Sequence, residues 1–445
     1  MLYLKRLIFY VLTALFINSV LLYTLWESNG FLKILMLLFL LGVFIYYNIK
    51  PSIDNSSPRR QKMLTNGYEL IIAAGVLSTL QIVLHICTAL IPRFHTDMTL
   101  LIINGIIAAI LTFIIFLNGF IRTFMASKQL GMGLRLSLLF LWWVPIINIV
   151  LIILTCKIVK TEYNFLSQKR LINDHRKDEK ICQTKYPLLM IHGIFFRDWK
   201  YFNYWGRIPK ELTDNGACIY YGNHNSSLPV EQSAAEIRQR IVDIVQETGC
   251  EKVNIIAHSK GGIDSRYAIS CLDADKHVAS LTTINTPHRG SSLSAKLVEK
   301  TPEKVVAAIG NNYEKIFTKL GDDQCDFCSS VNELSMEQCV ELNKKMIDCK
   351  GVFYQSVGSK MGSSFSAFLP LSAGHAITHK LDGDNDGLVA TSSMAWGKFL
   401  GVLTAPGKKG ISHGDMIDLT RKDIPGFDVC EFYVNLVSNL KQRGL

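Results

Sequence analysis

Residues 253–268 read VNIIAHSKGGIDSRYA, a strand pattern that gives way to a helical one around a single serine. Val253, Ile255, Ile256 and Ala257 make the apolar, partly β-branched run of a short buried strand. The run breaks at Ser259, Lys260, Gly261 and Gly262, and a helical pattern resumes at Ile263. A strand that turns into a helix around one serine is a nucleophile elbow. The turn strains the serine backbone and lifts its hydroxyl above the sheet, and only small neighbours fit beside the turning chain. The usual spelling is G-x-S-x-G; here it is Ala257-His258-Ser259-Lys260-Gly261, with alanine meeting the same steric need. A plain strand–loop–helix junction with a chance serine is the competing reading. The strand before and the helix after argue against it, because the motif requires both.

Outward from the elbow, short apolar runs alternate with amphipathic helices. Strands are expected at 188–191, 218–221, 252–258, 278–285 and 351–357, the first ending in His192-Gly193-Ile194-Phe195. Residues 230–248 place Ala234, Ile237, Ile241 and Ile244 on one helix face, and 427–442 make a closing helix. This alternation predicts an α/β fold with a parallel sheet covered on both faces. Residues 290–350 are too long for a plain connection and carry apolar residues at helical spacing, as in Val305, Val306 and Ile309.

The first part of the chain has another character. Of 47 Lys and Arg, 19 fall in residues 1–185 against 8 of the 37 Asp and Glu, so the formal charge of +10 belongs there and the remainder is nearly neutral. The charge therefore does not describe a nucleic-acid surface; it matches the basic flanks of membrane helices. Five apolar runs, 7–26, 31–49, 68–91, 98–120 and 136–155, approach or reach the ~20 residues that span a bilayer. The expected organisation is a multi-pass cell-membrane region of about five helices over 1–155, a charged linker or surface helix over 156–185, and a catalytic domain over 186–445. Basic loops put the N-terminus in the cytoplasm, and five crossings would leave the catalytic domain outside. Pro145, in WWVPIIN, could instead bend the fifth run into a re-entrant hairpin, and Lys157, Lys160, Lys169 and Arg170 fit a cytoplasmic exit. Outside is the reading adopted from sequence. His85 stands alone inside a run and is expected to be a helix–helix contact.

A serine nucleophile needs a base to take its proton and a carboxylate to orient that base. The chain order for an elbow serine is Ser, then Asp or Glu, then His. Of His277, His288, His375, His379 and His413, only His413 both follows an acid-bearing loop and precedes the last helix. The loop 382–387 reads DGDNDG, which mimics the start of a calcium-binding EF-hand, but the position that needs a bidentate Glu is Ser393. Asp386 is the expected acid and Asp384 the reserve. The oxyanion needs two backbone N–H donors, expected from Lys260 and Ile194, with the Lys260 side chain turned toward solvent or a lid.

The stretches YPLLMIHGIFFRDW, IIAHSKGGIDSRY, INTPHRGSSL, DNDGLVATSSMAWG and ISHGDMID occur in that order over 186–445. Together they resemble the bacterial triacylglycerol lipases of the true-lipase family, the Pseudomonas, Burkholderia and Bacillus type. The resemblance implies an α/β-hydrolase fold with a helical lid at 290–350 and the triad Ser259, Asp386 and His413. It implies a lipid or ester substrate met at the membrane bilayer, with no nucleic-acid partner and no cofactor required for the chemistry. It also implies a structural calcium held partly by Asp415, although the second carboxylate, near 358–364, has no counterpart. The family's disulfide partner position is Ser392 here, so that bridge is absent. Cys325, Cys328, Cys339 and Cys349 form C-x2-C-x10-C-x9-C, which fits neither zinc pairs nor a disulfide framework decisively. Besides hydrolysis of lipid esters, the residues leave open acyl transfer, phospholipase or deacylase action on membrane lipids or lipid-linked glycans, and a catalytically silent membrane scaffold.

Overall fold

The apolar runs of the second half become strands β1 (Leu188–Ile191), β2 (Ile219–Tyr221), β3 (Val253–His258), β4 (Val278–Ile284), β5 (Phe353–Ser359) and β6 (Lys398–Leu403). The structure is a computed structural model that describes residues 2–51, 57–90, 97–141, 143–194, 203–294, 296 and 326–445. Among the described residues the strands form one all-parallel sheet in the order β2-β1-β3-β4-β5-β6. The chain divides into two compact units, Met1–Ile172 and Asn173–Leu445.

In the second unit β1, β3 and β4 are buried along their whole lengths, because helices cover both faces of the sheet. One core lies under the C-terminal helix around Trp205, Tyr433 and Val437; the other holds Ile237, Ile241 and Ile244 against Ile255 and Ile263. Each of those isoleucines contributes about 2 kcal/mol by leaving water. The chain runs out from β1 to β2, then returns across β1 to β3, so the order reverses between β1 and β3. Such a reversal opens a crevice at the carboxyl ends of the two strands. The register pairs Met190 with Ile256 and Ile191 with Ala257. The loop after β1, His192-Gly193-Ile194, therefore leaves the sheet beside Ser259 and Lys260.

The first unit contains α1 (Leu2–Ile17), α2 (Ser19–Leu25), α3 (Gly30–Ile49), α4 (Arg59–Leu90), α5 (Met98–Ala126), α6 (Met132–Phe140) and most of α7 (Pro145–Arg176). The second unit follows with α8 (Ile208–Asp214), α9 (Val230–Thr248), α10 (Lys260–Cys271), α11 (Phe327–Asn332), α12 (Met336–Lys345), α13 (Leu371–Asp382) and α14 (Val429–Gln442). Three helices among the described residues are long and apolar enough to cross a membrane: α3, Arg59–Thr88 within α4, and α5. The first apolar run is interrupted at Asn18, whose side-chain carbonyl accepts from Asn104 Nδ2 at 2.7 Å. His85 reaches across to the Leu101 carbonyl at 3.3 Å, the helix–helix contact expected of it.

The fifth run corrects the expectation of a single crossing helix. It is divided into α6 and the start of α7, and the nine residues of α6 reach only ~14 Å, under half of a bilayer core. Pro145 opens α7, where its missing N–H costs nothing. Arg135 of α6 donates to the carbonyls of Phe124 and Ser127, which ties the entry of α6 to the end of α5. Glu162 of α7 comes back to that same end. It is buried and accepts from Ser127 Oγ at 2.6 Å, Lys128 N at 3.1 Å and Gln129 N at 3.4 Å, and pairs with Arg60 at the start of α4. The run is thus a hairpin, and α7 leaves the unit on the face where α4 begins and α5 ends. The end of α3 lies there too, since Arg122 donates to the Asn48 carbonyl at 2.9 Å. Of the stretch 156–185, expected as a charged linker or surface helix, the part through Arg176 is helical, a direct continuation of α7.

Candidate active site

Ser259 sits at φ 54° and ψ −131°, a left-handed strain that a non-glycine residue holds at a cost of about 1–3 kcal/mol. Its amide donates to the Ile284 carbonyl at 2.9 Å and its carbonyl accepts from Gly262 N at 3.0 Å, so both sides of the turn are pinned. Close approach explains the glycines. A Cβ on Gly193 would lie 2.8 Å from Ser259 Cβ, and one on Gly261 would lie 2.4 Å from the His192 carbonyl oxygen. Ala257 and His258 are buried in the strand that feeds the turn.

The structure brings Asp386 and His413 together. Asp386 is fully buried; its Oδ1 accepts from Leu388 N at 2.9 Å and Val389 N at 2.8 Å. Its Oδ2 faces His413 Nδ1 at 2.6 Å, and His413 N donates to the Asp386 carbonyl at 2.8 Å. The acid is therefore oriented by its own turn and the imidazole by two bonds to one residue. The His413 ring centroid lies 4.4 Å from that of His258, the residue before Ser259. Asp384, the reserve acid, is exposed and paired with Lys360 at 2.7 Å. The other histidines are engaged elsewhere: His288 with Thr283 Oγ1 at 2.9 Å, His375 with Ser364 Oγ at 2.8 Å, and His277 beside the Glu251 carbonyl at 3.3 Å.

Lys260 corrects a second expectation. Its side chain is fully buried, with Nζ 2.9 and 3.0 Å from the two Asp264 oxygens and 3.2 Å from Ser233 Oγ. Helix geometry places positions four apart on one face, and α9 closes over that face. Burial pushes the Asp264 carboxyl up to about 7 against the pull of Lys260. The Lys260 amide opens α10, where the first amides have no acceptor within the helix. Ile194 follows Gly193, whose own N–H goes to Tyr204 Oη at 3.1 Å.

Tyr204 was not anticipated. Its hydroxyl accepts from Gly193 and donates to His258 Nδ1 at 2.6 Å, so one phenol links the loop after β1 to the residue before the serine. Burial, then the neighbouring His413, holds the His258 pKa well below the usual imidazole value, which keeps it a neutral acceptor. No spacing rule joins Tyr204 to His258, fifty-four positions away.

Asp415, the carboxylate that the resemblance points to for calcium, is engaged locally. Asp415 Oδ2 accepts from Ser412 N at 2.9 Å and Ser412 Oγ at 2.7 Å, which closes a local turn. Among the described residues no group of three or more His, Cys, Asp or Glu is arranged for a metal, whereas calcium takes 6–8 oxygens. Cys339 and Cys349 are separate thiols; Cys325 and the side chain of Cys328 lie outside the described residues, as does 297–325 of the expected lid. The described remainder of 290–350 contains the helices α11 and α12, joined by turns.

Residues 185–424 match the model of the family described as Lipase (class 2). A triacylglycerol lipase of Pseudarthrobacter phenanthrenivorans is 31% identical over 174 residues, covering 36% of this chain and 54% of the relative. One of Burkholderia plantarii is 31% identical over 174 residues, covering 36% and 48%. One of Vibrio cholerae is 34% identical over 113 residues, covering 25% and 36%. The matched part thus spans from about a third to about half of these curated relatives. Among solved structures, the mature form of Bacillus licheniformis lipase BlEst2 aligns at a TM-score of 0.44 and 20% identity, covering 57% of this chain and 92% of that one.

Proposed function

Since the chain belongs to the class 2 lipase family, we propose that it is a membrane-anchored serine hydrolase that cleaves carboxylic esters of lipids. The observation that carries this reading is the buried Asp386–His413 pair, 2.6 Å apart, with the His413 ring 4.4 Å from that of His258, the residue before the strained Ser259. Ser259 Oγ attacks the ester carbonyl while His413 Nε2 takes its proton, and the C–O double-bond electrons move onto the oxyanion. The amides of Lys260 and Ile194 receive that charge; one such donor is worth about 3 kcal/mol of barrier. Collapse of the tetrahedral intermediate expels the alcohol, protonated by His413, and leaves an acyl-Ser259 ester. Water, deprotonated by His413, then releases the acid. Asp386 holds Nδ1–H toward itself and stabilises the imidazolium.

The test is covalent labelling with a fluorophosphonate. The wild-type protein is expected to label and Ser259→Ala not to; equal labelling of the two sinks the nucleophile assignment. A series of p-nitrophenyl esters of increasing chain length, with triacylglycerol and phospholipid beside it, reads the substrate class.

The hairpin supports a placement of the site. Arg6, Arg60, Arg122, Lys128 and Arg135 crowd the face at which α7 leaves the first unit. The bias of Lys and Arg toward cytoplasmic loops makes that face cytoplasmic. This supports a multi-pass protein of the cell membrane with its hydrolase unit in the cytoplasm, in place of the outside position that five crossings require. The described cysteines of the second unit are free thiols, in keeping with a reducing compartment. Protease added to intact cells is expected to spare the hydrolase unit and to digest it only in inverted vesicles. Digestion in intact cells would restore the outside placement.

A further inference from the structure

The loop after β5 presents three large apolar side chains to solvent within five positions. Phe365 is 99% exposed, and Phe368 and Leu369 are each 78% exposed. The loop is built to hold them there. Phe365 N donates to Ser363 Oγ at 3.3 Å, Ser364 Oγ meets His375 Nδ1 at 2.8 Å, and Ser366 Oγ donates to the Lys408 carbonyl at 3.0 Å. A water-facing loop has no physical reason to fix three such groups outward, since each loses the free energy that burial would return.

The surroundings are cationic. Gly362 N donates to the Lys409 carbonyl at 3.1 Å, so the segment bearing Lys408 and Lys409 runs alongside the loop. Lys422 Nζ stands 5.4 Å from the centroid of the Phe368 ring. Among the described residues no carboxylate pairs with Lys408, Lys409 or Lys422, while the nearby acids Asp384 and Asp423 are engaged by Lys360 and Arg207. An apolar tip ringed by unneutralised lysines is complementary to a bilayer with anionic headgroups, where rings enter the interface and ammonium groups meet phosphate. The tip is also tied to the catalytic pair. Leu371, two residues after Leu369, packs on the residues that follow His413 and Asp386. A Cβ on Gly414 would lie 3.6 Å from Leu371 Cδ1, and one on Gly387 would lie 3.2 Å from the Leu371 carbonyl.

We propose that loop 364–369 is a membrane-docking tip: Phe365, Phe368 and Leu369 enter the interface of an anionic leaflet, Lys408, Lys409 and Lys422 hold its headgroups, and the mouth of the site is set against the bilayer that supplies the ester. The proposal rests on the ester-hydrolase reading, and the test separates the two. The full chain is reconstituted in phosphatidylcholine vesicles with and without phosphatidylglycerol. Amide exchange over 363–369 is followed together with turnover of a bilayer-resident long-chain ester and of soluble p-nitrophenyl butyrate. The tip is expected to exchange about fivefold more slowly in the anionic vesicles, because both insertion and headgroup contact strengthen there. The combined variant Phe365→Ser, Phe368→Ser, Leu369→Ser is expected to lose about tenfold on the bilayer ester and to keep its rate on the soluble one. The variant Lys408→Glu, Lys409→Glu, Lys422→Glu, which leaves the apolar groups in place, is expected to abolish the preference for anionic vesicles. Unchanged exchange and an unchanged bilayer rate in both variants would overturn the docking tip and leave the hydrolase reading intact. Protection that rises with protein concentration in neutral vesicles would assign the tip to a second copy and overturn it as well. Wild-type protein inert on both esters would instead remove the hydrolase reading itself.

Discussion

Glu162 in the first unit and Asp386 in the second are both buried carboxylates, and the two are partnered in different ways. Glu162 in the first unit accepts from Ser127 Oγ, from the amides of Lys128 and Gln129, and from Arg60. Asp386 in the second accepts from the amides of Leu388 and Val389 and from His413. Both saturate a charge that would otherwise be costly to bury. The donors to Glu162 are two backbone amides, a hydroxyl and a guanidinium, none of which relays a proton at neutral pH, so this carboxylate can only latch the hairpin. Of the donors to Asp386 one is an imidazole, whose second nitrogen can pass a proton onward. The difference between a latch and a site lies in the donor and not in the acid.

Replacing Asp386 breaks that distinction most sharply. Asp386→Asn keeps the shape and an oxygen that accepts from the two amides but can hold His413 in the wrong tautomer. The expected loss is about 10²–10⁴ in kcat, read with p-nitrophenyl butyrate, with KM and thermal stability nearly unchanged. A variant that keeps wild-type kcat would make Asp386 a latch as well.

Glu162→Gln should do the reverse. The amide retains one acceptor oxygen, loses the charge opposite Arg60, and turns an –NH2 toward donors. About 2–3 kcal/mol of stability is expected to go, since breaking one member of a buried pair leaves its partner uncompensated. Thermal unfolding in nanodiscs reads the loss. The soluble-ester rate per folded molecule is expected to stay within twofold of wild type. A large fall in kcat without a fall in stability would show that the hairpin latch reaches the chemistry.

Asp264 provides a third case, a buried carboxylate whose partner is the Lys260 ammonium. Burial raises its folded pKa to about 7, above the unfolded carboxylate value. The folded state therefore binds more protons than the unfolded one between about pH 4 and 7, and this group's contribution favours folding below that window and is lost as pH rises through it. Lys260→Met removes the cation, so its cost should grow with pH, from under about 1 kcal/mol at pH 5 to about 3 kcal/mol at pH 8. The double variant Lys260→Met, Asp264→Leu should return to within about 1 kcal/mol of wild type at both pH values. Melting curves at the two pH values check this; a pH-independent penalty would mean that Asp264 stays ionised when unpaired.

The triad positions were legible because chemistry restricts them: an elbow needs small residues around Ser259, and the acid and base must follow in order. The sheet was legible at β1, β3, β4 and β5, where the strands are buried almost throughout, and at β2, a half-buried edge strand whose short apolar run still shows. The strand β6 escaped, because KFLGVL lies half exposed at the edge, with Gly401 at φ 104°, and shows neither alternation nor a continuous buried run. The burial of Lys260 was available in its spacing from Asp264, but a lysine beside the nucleophile reads as exposed until α9 is seen to cover it. Hydropathy cannot tell one crossing helix from two apolar half-helices. What separates them lies outside the apolar run, in Arg135 before its turn and Glu162 after it. Tyr204 depends on a contact that only the folded chain creates.

The smallest effect belongs to the fourth carboxylate, and it bears on the whole comparison. Asp384 lies two residues from Asp386 in the same DGDNDG loop, yet it is exposed and meets Lys360 at 2.7 Å, which holds its carboxyl below the usual range. That stabilisation is present above the unfolded carboxylate pKa and is lost as pH falls through the lowered value, so it is constant across neutral pH. An exposed pair of this kind is worth 0–1 kcal/mol, roughly. Asp384→Asn should therefore shift stability by no more than about 0.5 kcal/mol and kcat by less than about twofold. Both are read in the same assays as Asp386→Asn. Were Asp384→Asn to cost orders of magnitude in kcat while Asp386→Asn cost only stability, the acid would have to reach His413 from the exposed side of the loop. Asp386 would then stand beside Glu162 as a second latch.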